Sequence, residues 1–229
     1  MTSGSSYNPP MWPQRKPVKA LLFDVGGVLV KTQLERFLQM GSRLFHCTPA
    51  VLRTHISTLI EELERGEIDS YALWEELAET LSINGLGKPQ EPEKAEALWW
   101  QTVHESLTVD PDMLELCRQL HGRIPMGVLS NTIKDHAQNL RSRGVYDLFN
   151  PCVLSCEVGM RKPEARIYRL AAELLNTPPE YCLFIDDLKV NLKAARACRM
   201  QTHHFTGREK LQDRLKGLGL ELELRSFGT

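Results

Sequence analysis

Four polar clusters carry side chains able to do chemistry, and each follows an apolar run. Asp24 closes Leu21-Leu22-Phe23 and is followed by Gly26-Gly27. An acid delivered by an apolar run to a glycine turn is a carboxylate at a strand end, where open α/β sheets bind ligands; the same residues also suit an ordinary turn. Ser130-Asn131-Thr132 follows Val128-Leu129 and offers a hydroxyl and backbone N–H groups to an anion or, equally, a helix N-cap. Lys162 precedes Pro163, which reads as the start of a helix. Its ammonium is therefore expected at a helix N-terminus, a poor place for a cation unless an anion lies between; a solvated surface lysine is the alternative. Asp186-Asp187 ends the run Leu183-Phe184-Ile185. Adjacent acids repel unless a cation joins them, and hard oxygen ligands suit Mg²⁺; the plainer alternative is that Asp187 caps a helix.

The elements that must hold these clusters are legible from periodicity. Residues 18–24 read as a strand. Between 31 and 107 the apolar pattern turns helical, most clearly at Tyr71, Leu73, Trp74, Leu77 and Leu81 after the start signal Asp69-Ser70. Leu34, Phe37, Leu38 and Leu44 predict another helix, as do Val51 to Leu63 behind a Thr48-Pro49 cap, and Ala97, Leu98, Trp99 and Val103. About four helices in a row are too long to be a simple crossover. From Asp110-Pro111 onward strands and helices alternate, with strands expected at 125–129, 152–154, 182–185 and 201–205, which calls for a parallel sheet covered on both faces. The Leu-Glu alternation of 218–224 fits an edge strand or a tail.

Composition narrows the function classes. A chain of 229 residues suits one large domain, or one domain with an insertion. Lys+Arg number 28 and Asp+Glu 29, for a net charge of −1, which points to neither nucleic acid nor a membrane surface. The six cysteines are scattered and no signal-peptide pattern precedes them, so a soluble cytoplasmic protein is expected. Cys152 and Cys156 are read as packing residues and not as a zinc site. Residues 1–17, rich in Ser, Gly and Pro, are expected to be disordered.

An acid, a Ser/Thr, a lysine and paired acids in that order, at successive strand ends with a helical insertion after the first, resemble the haloacid dehalogenase (HAD) superfamily. The resemblance runs from Val18 onward and is strongest in FDVGGVL, LSN, RKPEARIY and FIDDLKVNLKAAR. The insertion and the last of these segments are similar to the N-terminal phosphatase-like domain of soluble epoxide hydrolase. The resemblance implies a doubly wound, Rossmann-like α/β core over 18–31 and 108–229, with an all-helical cap over 32–107. By similarity Asp24 attacks phosphorus to form an aspartyl-phosphate. Mg²⁺ is held by Asp24, the Gly26 carbonyl and the acids Asp186 and Asp187, with Asp187 a direct ligand. Ser130 and Lys162 are implied to be catalytic and to bind the phosphoryl group, and Asn131 to assist in binding; Asn191 matches an accessory position. The implied partner is a small phosphorylated metabolite, with no nucleic acid or membrane, and oligomeric state is left open.

One position departs from the pattern. Phosphatases of this family usually carry a second Asp two residues after the nucleophile, as proton donor to the leaving group and later as base. Here that residue is Gly26, which keeps a carbonyl but deletes general acid–base help worth about 10² to 10⁴-fold. His46, His55 and His104 in the insertion are candidate donors, although each reads better as a surface or core histidine. The expected function is a Mg²⁺-dependent phosphomonoesterase favouring good leaving groups. The alternatives are a catalytically weak HAD binding or scaffolding domain and a 2-haloacid dehalogenase; the latter branch places Tyr where Gly26 stands and does not use a paired-acid metal site.

Overall fold

The computed structural model describes residues 16–86 and 92–220, without the side chains of 92–98. Its centre is a parallel sheet of five strands: β1 Ala20–Phe23, β4 Met126–Ser130, β5 Cys152–Leu154, β6 Cys182–Asp186 and β7 Gln201–His204, in spatial order β5-β4-β1-β6-β7. β1 sits in the middle because it is apolar at every position and wholly buried, so both faces and both edges must be covered. The chain fills one side of β1 with β4 and β5, then crosses back to the other with β6 and β7. Strand order therefore reverses beside β1, and in open α/β sheets it is the carboxyl ends at such a reversal that bind ligands. Phe23 is in register with Val128 and with Ile185. That register sets Asp24 level with Asp186 and leaves Ser130 one residue further along β4.

Alternate residues of the strands divide the core. Leu21, Phe23, Val128, Leu183 and Ile185 pack with α5 (Pro111–Leu120), α6 (Lys134–Ser142) and α10 (Arg208–Lys216). Ala20, Leu22, Leu129 and Phe184 face Ile167, Tyr168 and Leu192 of α8 (Ala165–Leu174) and α9 (Lys189–Ala197). α7 (Ser155–Val158) is a single turn after β5.

The helical insert comprises α1 (Leu34–Leu44), α2 (Pro49–Arg65), α3 (Ser70–Ile83) and α4 (Pro92–Glu105). Two caps act as their residue types predict: Thr48 accepts from the N–H of Val51, and Asp69 from that of Ala72. Leu73, Leu77 and Leu81 are the buried stripe of α3, whereas Tyr71, which shares their period, is exposed. The chain leaves and re-enters the core through two strands that periodicity does not predict, β2 Val30–Thr32 and β3 Leu107–Val109, paired antiparallel. At three residues each they are too short to carry a period.

Several sequence expectations land differently. Lys16, placed in the disordered segment, forms an ion pair with Glu180 at 3.0 Å, while 1–15 lie outside the described residues. Pro163 does not begin a helix. Residues 161–164 make a turn closed by Glu164 N–H on the Arg161 carbonyl, a cis peptide joins Lys162 to Pro163, and α8 starts at Ala165. In the 218–224 segment Leu218 and Gly219 lie in a turn, and 221–224 fall outside the described residues.

Candidate active site

Lys162 is the pivot of the site. Its side chain is 2 % exposed, and its Nζ donates to Asp24 Oδ1 at 2.7 Å and to Asp186 Oδ2 at 2.9 Å. The expected solvated or dipole-opposed lysine is therefore replaced by a buried ammonium between two strand-end carboxylates, over the face of Phe184. Asp186 is further held by both its oxygens on the Asn191 amide, at 3.2 and 3.0 Å, and by the Leu188 N–H at 2.7 Å. This contact with Leu188 means that Asp186, and not Asp187, meets the backbone entering α9. Asp24 Oδ1 also accepts from the N–H of Val25 at 2.7 Å.

The second strand end lies on the neighbouring strand β4. Ser130 is buried at the end of β4. Its neighbour Asn131 is spliced to the lysine loop by two bonds: the Lys162 N–H donates to Asn131 Oδ1 at 2.8 Å, and Asn131 Nδ2 donates to the Lys162 carbonyl at 2.9 Å. Thr132 N–H donates to Ser155 Oγ at 2.9 Å.

Burying two acids with one base has an electrostatic consequence. Desolvation pushes the Asp24 carboxyl up to about 7, with Asp186 adding to the rise and Lys162 opposing it. For Lys162, burial favours loss of the proton, but Asp24 and Asp186 outweigh it and hold the ammonium above its ordinary range. Asp187, half-buried, is raised by burial and by Asp186. One oxygen from each of Asp24, Asp186 and Asp187 lies within 4.8 Å of the others. Such a surplus of hard oxygen ligands is what a divalent cation offsets.

Comparison with known proteins decides the family. The haloacid dehalogenase-like hydrolase family matches residues 18–199. The chain belongs to that family. A sesquiterpene phosphatase from Aspergillus oryzae is 28% identical over 196 residues, covering 82% of this chain and 90% of the relative. Rat bifunctional epoxide hydrolase 2 is 43% identical over 54 residues, 24% of this chain and 10% of that protein. A HAD family enzyme from Bacteroides thetaiotaomicron, solved with magnesium and inorganic phosphate, superposes with a TM-score of 0.67 at 25% identity, covering 81% of this chain and 93% of that one.

Within this HAD-like hydrolase the two glycines after Asp24 are under opposite constraints. A Cβ on Gly26 would meet only Thr32 Cγ2, at 3.7 Å. The backbone there would accept a side chain, so the missing acid is not a steric necessity. Gly27 has φ +74, and a Cβ would lie 2.3 Å from Asp187 Oδ2. Its freedom is needed for the turn to pass against the Asp187 carboxylate.

The candidate proton donors have local engagements of their own. His46 sits in the left-handed region, His55 Nδ1 is bonded to the Val51 carbonyl one turn back, and His104 Nδ1 meets Asn139. Trp99 packs edge-on to Phe37 and donates its Nε1–H to Asp135 at 2.8 Å, while Trp100 is partly exposed. Cys152 and Cys156 are free thiols raised by burial to about 11. Sequence reasoning missed the contacts that seat the insert on the core: Asp135 receives Ser70 Oγ as well as Trp99, and Arg161 reaches Glu61 and Glu64. Charges at helical spacing look like a solvated face until the partner loop is known.

No helix among the described residues is long and apolar enough to cross a membrane.

Proposed function

We propose that the protein is a Mg²⁺-dependent phosphomonoesterase that acts on a small organic phosphate through an aspartyl-phosphate on Asp24. The observation that carries this reading is Lys162 bridging Asp24 and Asp186 with Asp187 beside them. A buried ammonium and a cluster of three acids supply the opposite charges that a phosphate dianion and a metal require. The Aspergillus relative is a phosphatase and the Bacteroides neighbour holds magnesium with phosphate, which supports an organic phosphate as the ligand class.

The donor set fits Mg²⁺: Asp24, Asp187 and the Gly26 carbonyl offer hard oxygens, while Asp186 is largely engaged by Lys162, Asn191 and Leu188. Bound there, the ion would neutralise phosphoryl oxygens so that a carboxylate can approach an anion. Asp24 then attacks phosphorus: its oxygen forms the new P–O bond, and the bond to the leaving oxygen breaks with both electrons on that oxygen. Lys162 balances charge on the phosphoryl group and holds the carboxylate in place, and Ser130 hydrogen-bonds a phosphoryl oxygen. Losing one such preorganised contact costs about 2.7–4 kcal/mol. Water cleaves the acyl phosphate, restoring Asp24 and releasing inorganic phosphate.

Because nothing at position 26 protonates the leaving oxygen, aryl, acyl and anomeric phosphates are favoured over simple alkyl esters. The lack of an acid at position 26 would also suit a slow domain that binds a phosphorylated ligand without rapid turnover. A chromogenic aryl phosphate assayed with Mg²⁺ and with EDTA separates these readings. Metal-dependent turnover that Asp24→Asn removes by on the order of 10⁴-fold or more supports the phosphatase. Phosphate binding with no turnover supports the binding domain, and release of halide from 2-chloropropionate in EDTA would replace both.

A further inference from the structure

We propose that Arg161 is a positioning residue that couples docking of the helical insert to the placement of Lys162. The last turn of α2 and the 161–164 loop meet through charges of swapped polarity. Arg161 Nη1 pairs with Glu61 Oε1 at 2.5 Å, and its Nη2 and Nε pair with Glu64 Oε2 at 2.8 and 3.0 Å. In the reverse sense Arg65 of α2 pairs with Glu164 Oε1 at 2.6 Å, and that same oxygen accepts the Arg161 N–H at 3.3 Å. The insert thus grips the lysine loop one residue before and two residues after Lys162. Glu64 and Arg161 are the better shielded members, at 18% and 20% exposure, against 61% for Glu61.

The grip reaches the site through the backbone. Arg161 cannot swing away without drawing on Lys162, whose N–H and carbonyl are both bonded to the Asn131 amide and whose Nζ sits between Asp24 and Asp186. A second contact fixes the same edge: α2 ends at Gly66, with φ +69, where a Cβ would lie 2.2 Å from the Cys156 carbonyl oxygen. The insert touches the core closely there, with backbone on backbone, so small changes in its seating are felt by the loop. Ser70 and Trp99 meet the core at Asp135 through hydrogen bonds, whereas the α2 edge is held by ion pairs, which salt releases.

The kinetic consequence rests on the phosphatase reading, but the coupling does not, and amide hydrogen exchange tests it directly. In Glu64→Gln, a neutral isostere, we expect exchange in 61–65 and at the Lys162 N–H to rise together, by about 5- to 20-fold. The affinity for inorganic phosphate with Mg²⁺ should fall by about 3- to 10-fold. Arg161→Glu should exceed both effects, and Arg161→Glu combined with Glu64→Arg should recover at least half of the loss on a logarithmic scale. If Arg161→Glu does not fold, Gly66→Ala tests the same edge by sterics and should raise both exchange rates. Faster exchange in α2 with an unchanged Lys162 amide overturns the coupling, as does Glu64→Gln matching the parent at both places. A parent that binds no phosphate counts against the phosphatase reading alone, because the exchange comparison still decides the coupling.

Discussion

The floor of the site and the rim where the insert docks are both built from ion pairs, yet their physics differs. On the floor Asp24, Lys162, Asp186 and Asn191 are almost completely buried, and the Lys162 ammonium is shared between the two carboxylates. On the rim Arg161, Glu61, Glu64, Arg65 and Glu164 keep between 18% and 61% of their side chains in water. Buried pairs are costly to break because the survivor is left uncompensated, whereas partly exposed pairs gain little and yield to salt. The floor is therefore the part that resists change, and the rim the part that salt or a single substitution can loosen.

Breaking the floor should have the largest effect. Lys162→Met leaves two carboxylates buried without their cation and is expected to destabilise the protein by about 3–5 kcal/mol in EDTA, read by chemical denaturation. Mg²⁺ should return part of that loss, and return more of it in the variant than in the parent; equal Mg²⁺ effects would mean that the ion does not share the lysine's role. Gly26→Asp sharpens the same comparison from the other direction. The space for its Cβ exists, so the variant should fold and raise alkyl phosphate turnover by about 10²-fold, with little gain on aryl esters. Equal gains on both classes would contradict the assigned role of Gly26.

The third expectation concerns protons. Since burial raises Asp24 to about 7, the carboxyl is protonated below that pH and must lose its proton to take a metal. Mg²⁺ affinity should therefore fall about tenfold per pH unit on the acid side of 7 and level off above it, with proton release visible as a buffer-dependent heat by calorimetry. A flat affinity between pH 5 and 7 would place the metal away from Asp24. The smallest effect belongs to the rim: Glu61→Gln should shift stability by under about 0.5 kcal/mol, and high salt should erase the difference from the parent.

Three of the site's groups were legible in the sequence because each closes an apolar strand: Leu21-Leu22-Phe23 before Asp24, Val128-Leu129 before Ser130, Leu183-Phe184-Ile185 before Asp186. Parallel pairing with β1 then brings those ends together without further information. In the sequence Lys162 is read at a strand end and a helix N-terminus, but β5 stops at Leu154 and α7 intervenes, and it is the turn of 161–164 that brings its ammonium inward. The rim was illegible for a different reason. Glu61, Glu64 and Arg65 have the spacing of an ordinary solvated helix face, and their partners lie about a hundred residues away in sequence. The β2–β3 pair escaped because three-residue strands have no period to detect.

On the phosphatase reading Asp24 becomes phosphorylated during turnover. Acid quenching of Mg²⁺-loaded protein during turnover of a ³²P-labelled aryl phosphate, followed by proteolysis, tests it directly. Hydroxylamine-labile label on the peptide containing Asp24, absent in Asp24→Asn, is the predicted result. Label on another peptide, or turnover that persists in Asp24→Asn, would contradict it.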